Sequence, residues 1–98
     1  MSHMADFARA INLIRKYEGF NESAYANFET GEEPYTIGYG TQFYPDGNPV
    51  RKGQKCTKSK ALEYLIFELQ VIEEQLDVAL PNLNPSMKEA LLSFIHSL

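Results

Sequence analysis

Ninety-eight residues are enough for one small domain, and the 44% apolar content is that of an ordinary globular chain. A formal charge of −4 excludes strong binding to nucleic acid by phosphate neutralisation and offers no long-range steering toward an anionic polymer. The single cysteine, Cys56, excludes an internal disulfide and a cysteine-based zinc site, and no apolar run approaches the ~18 residues of a membrane span.

The opening Met1-Ser2-His3-Met4 reads as a cloning scar, and the first residues do not read as a secretory signal. From Ala5 to Glu18, apolar residues at Phe7, Ile11, Ile14 and Tyr17 keep helical spacing, with Ala10 and Leu13 beside them and Gly19 placed to stop the helix. Between Phe20 and Val50 glycine and proline become frequent. β-Branched and aromatic residues alternate there, and Thr30-Gly31 and Asp46-Gly47 mark turns. The pattern predicts a small antiparallel sheet with strands near 24–29, 34–39 and 42–44 and a short piece near 49–50.

Thr57 is placed as an N-cap for a long helix. Its apolar residues, Leu62, Leu65, Ile66, Leu69, Ile72, Leu76 and Leu80, recur every three or four positions until Pro81 ends it. After Asn82-Leu83, Asn84 can cap a last helix with Pro85 at its first position, carrying Met87, Leu91, Phe94 and Ile95. The fold class expected is α+β. There is no internal repeat and no low-complexity segment.

The chemistry concentrates at two places. Leu13-Ile14-Arg15-Lys16-Tyr17-Glu18-Gly19-Phe20 puts an acid at the end of the first helix, and Thr36-Ile37-Gly38-Tyr39-Gly40 follows eighteen residues after Glu18. Between them lies Ala24-Tyr25-Ala26-Asn27. In these segments the chain resembles the phage-type lysozymes of glycoside hydrolase family 24. Those carry Glu-Gly-(Phe/Leu) at the end of the first helix, Ala-Tyr plus Asp or Cys on the first strand, and Thr-Ile-Gly-Tyr-Gly on the next. The resemblance runs over nearly the whole chain and implies a lysozyme-like lobe at 5–56, a connecting helix at 57–80 and, at 84–98, the first helix of a helical second lobe. Ser93-Phe94-Ile95-His96-Ser97-Leu98 is similar to the segment that opens that lobe, after which family members continue, so the chain reads as an N-terminal portion.

The resemblance implies hydrolysis of the β-1,4 bond between N-acetylmuramic acid and N-acetylglucosamine in peptidoglycan, by a phage-encoded enzyme made in the host cytoplasm and acting on the cell wall. It implies no cofactor and no metal. Glu18 is the expected general acid. A carboxyl beside Tyr17 and Phe20 is expected to be partly desolvated, and burial of that kind keeps a carboxyl protonated nearer neutral pH. Thr36 is expected to hold the attacking water, although a threonine there also serves simply as a strand former.

Asn27 falls nine residues after Glu18, where the family places its acid or thiol. An amide orients a water but cannot take its proton. Three readings stand open: a weakened or dead enzyme, a substitute base among Glu29, Glu32 and Glu33, or an orienting Asn27 with another group as base. Gly38, Tyr39 and Gly40 are expected to line the substrate cleft, since glycine lets backbone approach a ligand. Tyr25, Tyr35, Phe43 and Tyr44 offer further rings for sugar stacking or for packing. His96 stands where the family has a cleft-lining aromatic, and is either a substrate contact or a surface or interface histidine. The basic cluster Arg51, Lys52, Lys55, Lys58 and Lys60 is a solvated loop and helix start or a wall-polymer contact.

Two rivals accompany the enzyme reading: an inactive wall-binding module, and an interaction protein that pairs through its last helix. The apolar stripe of residues 85–98 leads to the expectation of self-association, or of cover by a second lobe, through that segment.

Overall fold

A computed structural model describes residues 3–98. The element order is α1 (His3–Glu18), β1 (Asn21–Tyr25), β2 (Thr36–Gly38), α2 (Lys58–Ala79) and α3 (Pro85–Ser97). The class is α+β, as expected. Helix α1 starts at His3, inside the segment set aside as a cloning scar, of which Met1 and Ser2 lie outside the described residues. Its buried face is Phe7, Ala10, Ile11 and Ile14, the i, i+3, i+4, i+7 stripe of an amphipathic helix.

The sheet is smaller than the pattern predicts and begins earlier. Strands β1 and β2 pair antiparallel, Asn21 opposite Gly38 and Tyr25 opposite Thr36, with an irregularity between. The remaining expected strands are reduced to isolated bridges, Ile37 with Thr41 and Phe43 with Pro49. Pro49 has no N–H to extend a ladder, and a turn closes at once through Gly47 N–H to Tyr44 O at 2.8 Å. The second edge of β1 is used by the segment before α2: Ala24 N–H donates to Gln54 O, and Cys56 N–H to Glu22 O, both at 2.9 Å.

Both later helices are capped as the sequence indicates. Thr57 Oγ1 accepts from Lys60 N–H at 3.1 Å, and Asn84 Oδ1 from Ser86 N–H at 2.8 Å, with Pro85 in the first turn. On α2 the buried stripe is Ala61, Leu65, Leu69, Glu73 and Leu76. Leu62, Ile66 and Ile72 lie half-buried beside it, and Leu80 is largely exposed at the cap. Helix α3 folds back onto α1 and α2 and buries Leu92 completely, with Leu91 and Ile95 packed at its sides. Leu69 and Leu76 are core residues of this same lobe. Met87, Phe94 and Leu98 remain exposed.

Charged pairs link α3 to both of its neighbours. Lys88 Nζ reaches Asp77 at 2.8 Å and the buried Glu73 at 3.5 Å on α2, and Arg9 of α1 stands 3.7 Å from Glu89. The Asp77 hydrogen bond, opposed by burial and aided by Glu73, holds the Lys88 ammonium above its ordinary pKa. No helix among the described residues is long and apolar enough to cross a membrane.

Candidate active site

Glu18 is the last residue of α1, so the helix fixes its Cα while leaving its side chain free of the next turn. Gly19, at φ 69°, turns the chain into β1. The carboxyl then lies over Gly40, in the loop that closes β2. A β-carbon at Gly40 would stand 3.0 Å from Glu18 Oε2 and 3.4 Å from Cδ. Gly40 has φ 91°, and only glycine adopts that backbone freely while leaving room for the acid. The expected shelter from Tyr17 is absent. Tyr17 is 85% exposed, Phe20 packs on Tyr39 with ring centroids 5.7 Å apart, and Glu18 is itself exposed.

Glu18 opens onto a cavity of about 440 Å³ whose other wall belongs to α3: Ser93, Phe94, His96 and Ser97 face Leu13, Ile14 and Tyr17 of α1. His96 is not a surface histidine. Its side chain is 8% exposed, and Nε2 lies 2.6 Å from Glu68 Oε1 on α2. An ionised carboxylate only accepts, so Nε2 carries the hydrogen. The other Glu68 oxygen accepts from Thr41 Oγ1 at 2.7 Å. A second cavity of about 360 Å³, lined by Phe43, Tyr44, Tyr64 and Phe67 among others, adjoins the first at His96 and reaches Gly40.

The remaining predicted site residues divide. Thr36 lies half-buried on β2 opposite Tyr25. Gly38, at φ 66°, faces helix α2, where a β-carbon would meet Ala61 Cβ at 2.9 Å, so its closeness serves the packing of β2 on α2. Tyr39 is 4% exposed with Arg15 Cζ 5.5 Å above its ring, so no face of it is open to a sugar.

Asn27 stands outside any strand, because β1 ends at Tyr25. Its Oδ1 accepts from Glu29 N–H at 2.8 Å and Thr30 N–H at 3.3 Å, and its backbone N–H and C=O bond to Glu32 and Gly31. It therefore organises the 27–32 turn and lines an open hollow with Asn21, Tyr25 and Phe28, apart from the cavity of Glu18. Glu29, Glu32 and Glu33 are exposed on that turn, with Glu33 3.9 Å from Arg51.

Residues 15–98 match the phage lysozyme family. The chain belongs to that family. It is similar to the endolysin from Escherichia coli O157:H7 phage FAHEc1, with 29% identity and a TM-score of 0.77, covering 90% of this chain and 54% of that one. It is also similar to a crystal structure of a P22 lysozyme mutant, with 29% identity and a TM-score of 0.72, covering 93% of this chain and 61% of the other. A protein described as a phage endolysin from S. enterica aligns at 25% identity and a TM-score of 0.73, covering 92% of this chain and 89% of that one. The chain thus spans little more than half the length of the first two. No curated protein sequence matches it. Membership of the phage lysozyme family agrees with the resemblance seen in the Glu18 and Thr36–Gly40 segments, and the neighbours share the α+β lysozyme-like fold.

Glu68 and Thr41 were not predicted as site residues. A signal was present: Glu68 interrupts the apolar run Leu65, Ile66, Leu69, Ile72 of α2, where an acid needs a partner.

Proposed function

We propose that this chain carries the acid-bearing lobe of a peptidoglycan-hydrolysing lysozyme, cleaving the β-1,4 bond between N-acetylmuramic acid and N-acetylglucosamine. The observation that carries the reading is the Glu18 carboxyl, held over Gly40 at the edge of an open cavity. From there it gives a proton to the glycosidic oxygen as the leaving group departs. Thr36 holds the attacking water, and inversion at the anomeric carbon requires space for that water between the acid and the second group. The resemblance assigns the role of that second group to Asn27, whose side chain lines a neighbouring hollow and not the Glu18 cavity itself. Its amide orients a water but takes no proton, so the proton lost by the attacking water passes to solvent, which makes a slow enzyme.

Substrate is the glycan strand of the bacterial wall, reached from a phage-infected cell. The rival reading, a wall-binding module without turnover, is favoured by the commitment of Asn27 Oδ1 to its own turn. Self-association, or cover by a second lobe, would rest on the apolar residues outside the core, Phe94 with Leu13 and Tyr17. Sedimentation at micromolar concentration is expected to report a dimer that Phe94→Ser dissociates; a monomer with full amide protection of α3 removes that part of the proposal.

The test of activity is digestion of purified peptidoglycan followed by mass analysis of the fragments. New reducing ends on N-acetylmuramic acid support the reading. Glycan binding with no new reducing ends favours the binding module, and reducing ends on N-acetylglucosamine contradict the bond assignment.

A further inference from the structure

Thr41, Glu68 and His96 come from three separate parts of the chain and meet at one carboxylate. Thr41 is completely buried, and its backbone makes both bridge bonds to Ile37 at 2.9 Å, so the loop from 37 to 41 is a closed unit containing Gly40. Gly40 is the floor under Glu18. His96 is a wall residue of the cavity onto which Glu18 opens. Glu68, 25% exposed, spans the two, one oxygen at 2.7 Å from Thr41 Oγ1 and the other at 2.6 Å from His96 Nε2. Neither of its partners is exchangeable for water at little cost, because both lie in the interior.

We propose that Glu68 is a positioning residue for Glu18: it does not touch the reacting atoms, but its two oxygens tie the Gly40 loop beneath the acid to the α3 wall of the same cavity. The proposal rests on Glu18 being the acid. Without the bridge, the loop and α3 are free to move relative to each other, and the surface against which the Glu18 side chain rests moves with them. Displacement of a reacting group by ~1 Å costs on the order of 10²-fold in rate.

The experiment compares the full chain with Glu68→Ala and Glu68→Gln, each checked for folding by its thermal transition. Glutamine can turn its amide oxygen to the Nε2–H of His96 and its N–H₂ to Thr41 Oγ1, which accepts as well as donates, so it restores the bridge without the charge. The first readout is the nuclear Overhauser effect between the Gly40 α-protons and the Glu18 γ-protons. It is expected in the wild type, lost in Glu68→Ala and regained in Glu68→Gln. The second readout is turnover of peptidoglycan. Glu68→Ala is expected to lose kcat by ~10- to 100-fold with KM within about threefold, and Glu68→Gln to return within about threefold of the wild type. A Gly40–Glu18 signal that persists in Glu68→Ala while only the melting temperature falls overturns the proposal and leaves Glu68 a purely stabilising residue. Glu18→Gln is measured in parallel. If it retains turnover, the assignment of the acid fails, whereas the proton signal still decides whether Glu68 fixes the position of Glu18.

Discussion

The carboxyl of Glu18 lies over Gly40, so close that a β-carbon on Gly40 would stand 3.0 Å from Glu18 Oε2. One comes from the end of α1 and the other from the loop after β2. That closeness gives an exposed helix-end glutamate a surface to rest against.

Gly40→Ala is expected to lower peptidoglycan turnover by ~10- to 100-fold, because the methyl group displaces a flexible carboxylate rather than backbone. Its φ of 91° adds a strain of about 1–2 kcal/mol, which a denaturation curve measures separately. Turnover equal to wild type would mean that the direction of Glu18 does not matter.

Gly38→Ala is expected to behave in the opposite way. Here the added β-carbon meets Ala61 Cβ at 2.9 Å, on a helix that cannot rotate aside. Strain and overpacking together are expected to cost about 2–4 kcal/mol, a fall of ~10 °C or more in melting temperature for a domain of this size. Specific activity per folded molecule is expected to stay near wild type.

These two glycines also mark what the sequence makes legible. Both stand in one motif, and nothing in Thr36-Ile37-Gly38-Tyr39-Gly40 tells which faces a helix and which an acid; that depends on where α2 crosses. The helices were readable because their signals are local: the Thr57 and Asn84 caps, the Pro85 start and the apolar spacing. Strand β1 was not, because Asn21-Glu22-Ser23 are weak strand formers held by partners at Gly38, Gln54 and Lys55. The Thr41–Glu68–His96 bridge joins residues 27 and 28 positions apart, beyond any periodicity. The docking of α3 on its own lobe was likewise a tertiary outcome, settled by Leu92 and by the Lys88 and Arg9 pairs.

Asn27→Asp is expected to fold as the wild type does, since an aspartate accepts the same N–H groups of Glu29 and Thr30. It is expected to raise turnover by about tenfold or more, because general-base assistance contributes typically ~10²–10⁴. A flat rate, together with loss of activity in Glu29→Gln or Glu32→Gln, would place the base in the turn instead.

Lys88→Met tests the α2–α3 clamp and its pH dependence. The folded-state pKa of Lys88 is raised above 10.5 by Asp77 first, with Glu73 adding to it. A raised lysine contributes stability that is fully present below the unfolded value and lost as pH rises through the folded one. The substitution is expected to cost about 1 kcal/mol at pH 7, and the gap between the two proteins is expected to close above about pH 10.5. Urea midpoints from pH 7 to 11.5 measure it; a gap that is constant across that range would show that the charge is irrelevant.

The most direct measurement of the whole account is the turnover of Glu18→Gln on purified peptidoglycan, beside the wild type and with folding monitored by circular dichroism. Glutamine keeps the size and hydrogen bonding of the side chain and removes the proton that general-acid catalysis needs. The account predicts an unchanged fold and a rate lowered by at least ~10²-fold. Release of reducing ends at close to the wild-type rate would remove Glu18 from the acid position and with it the reading of this site.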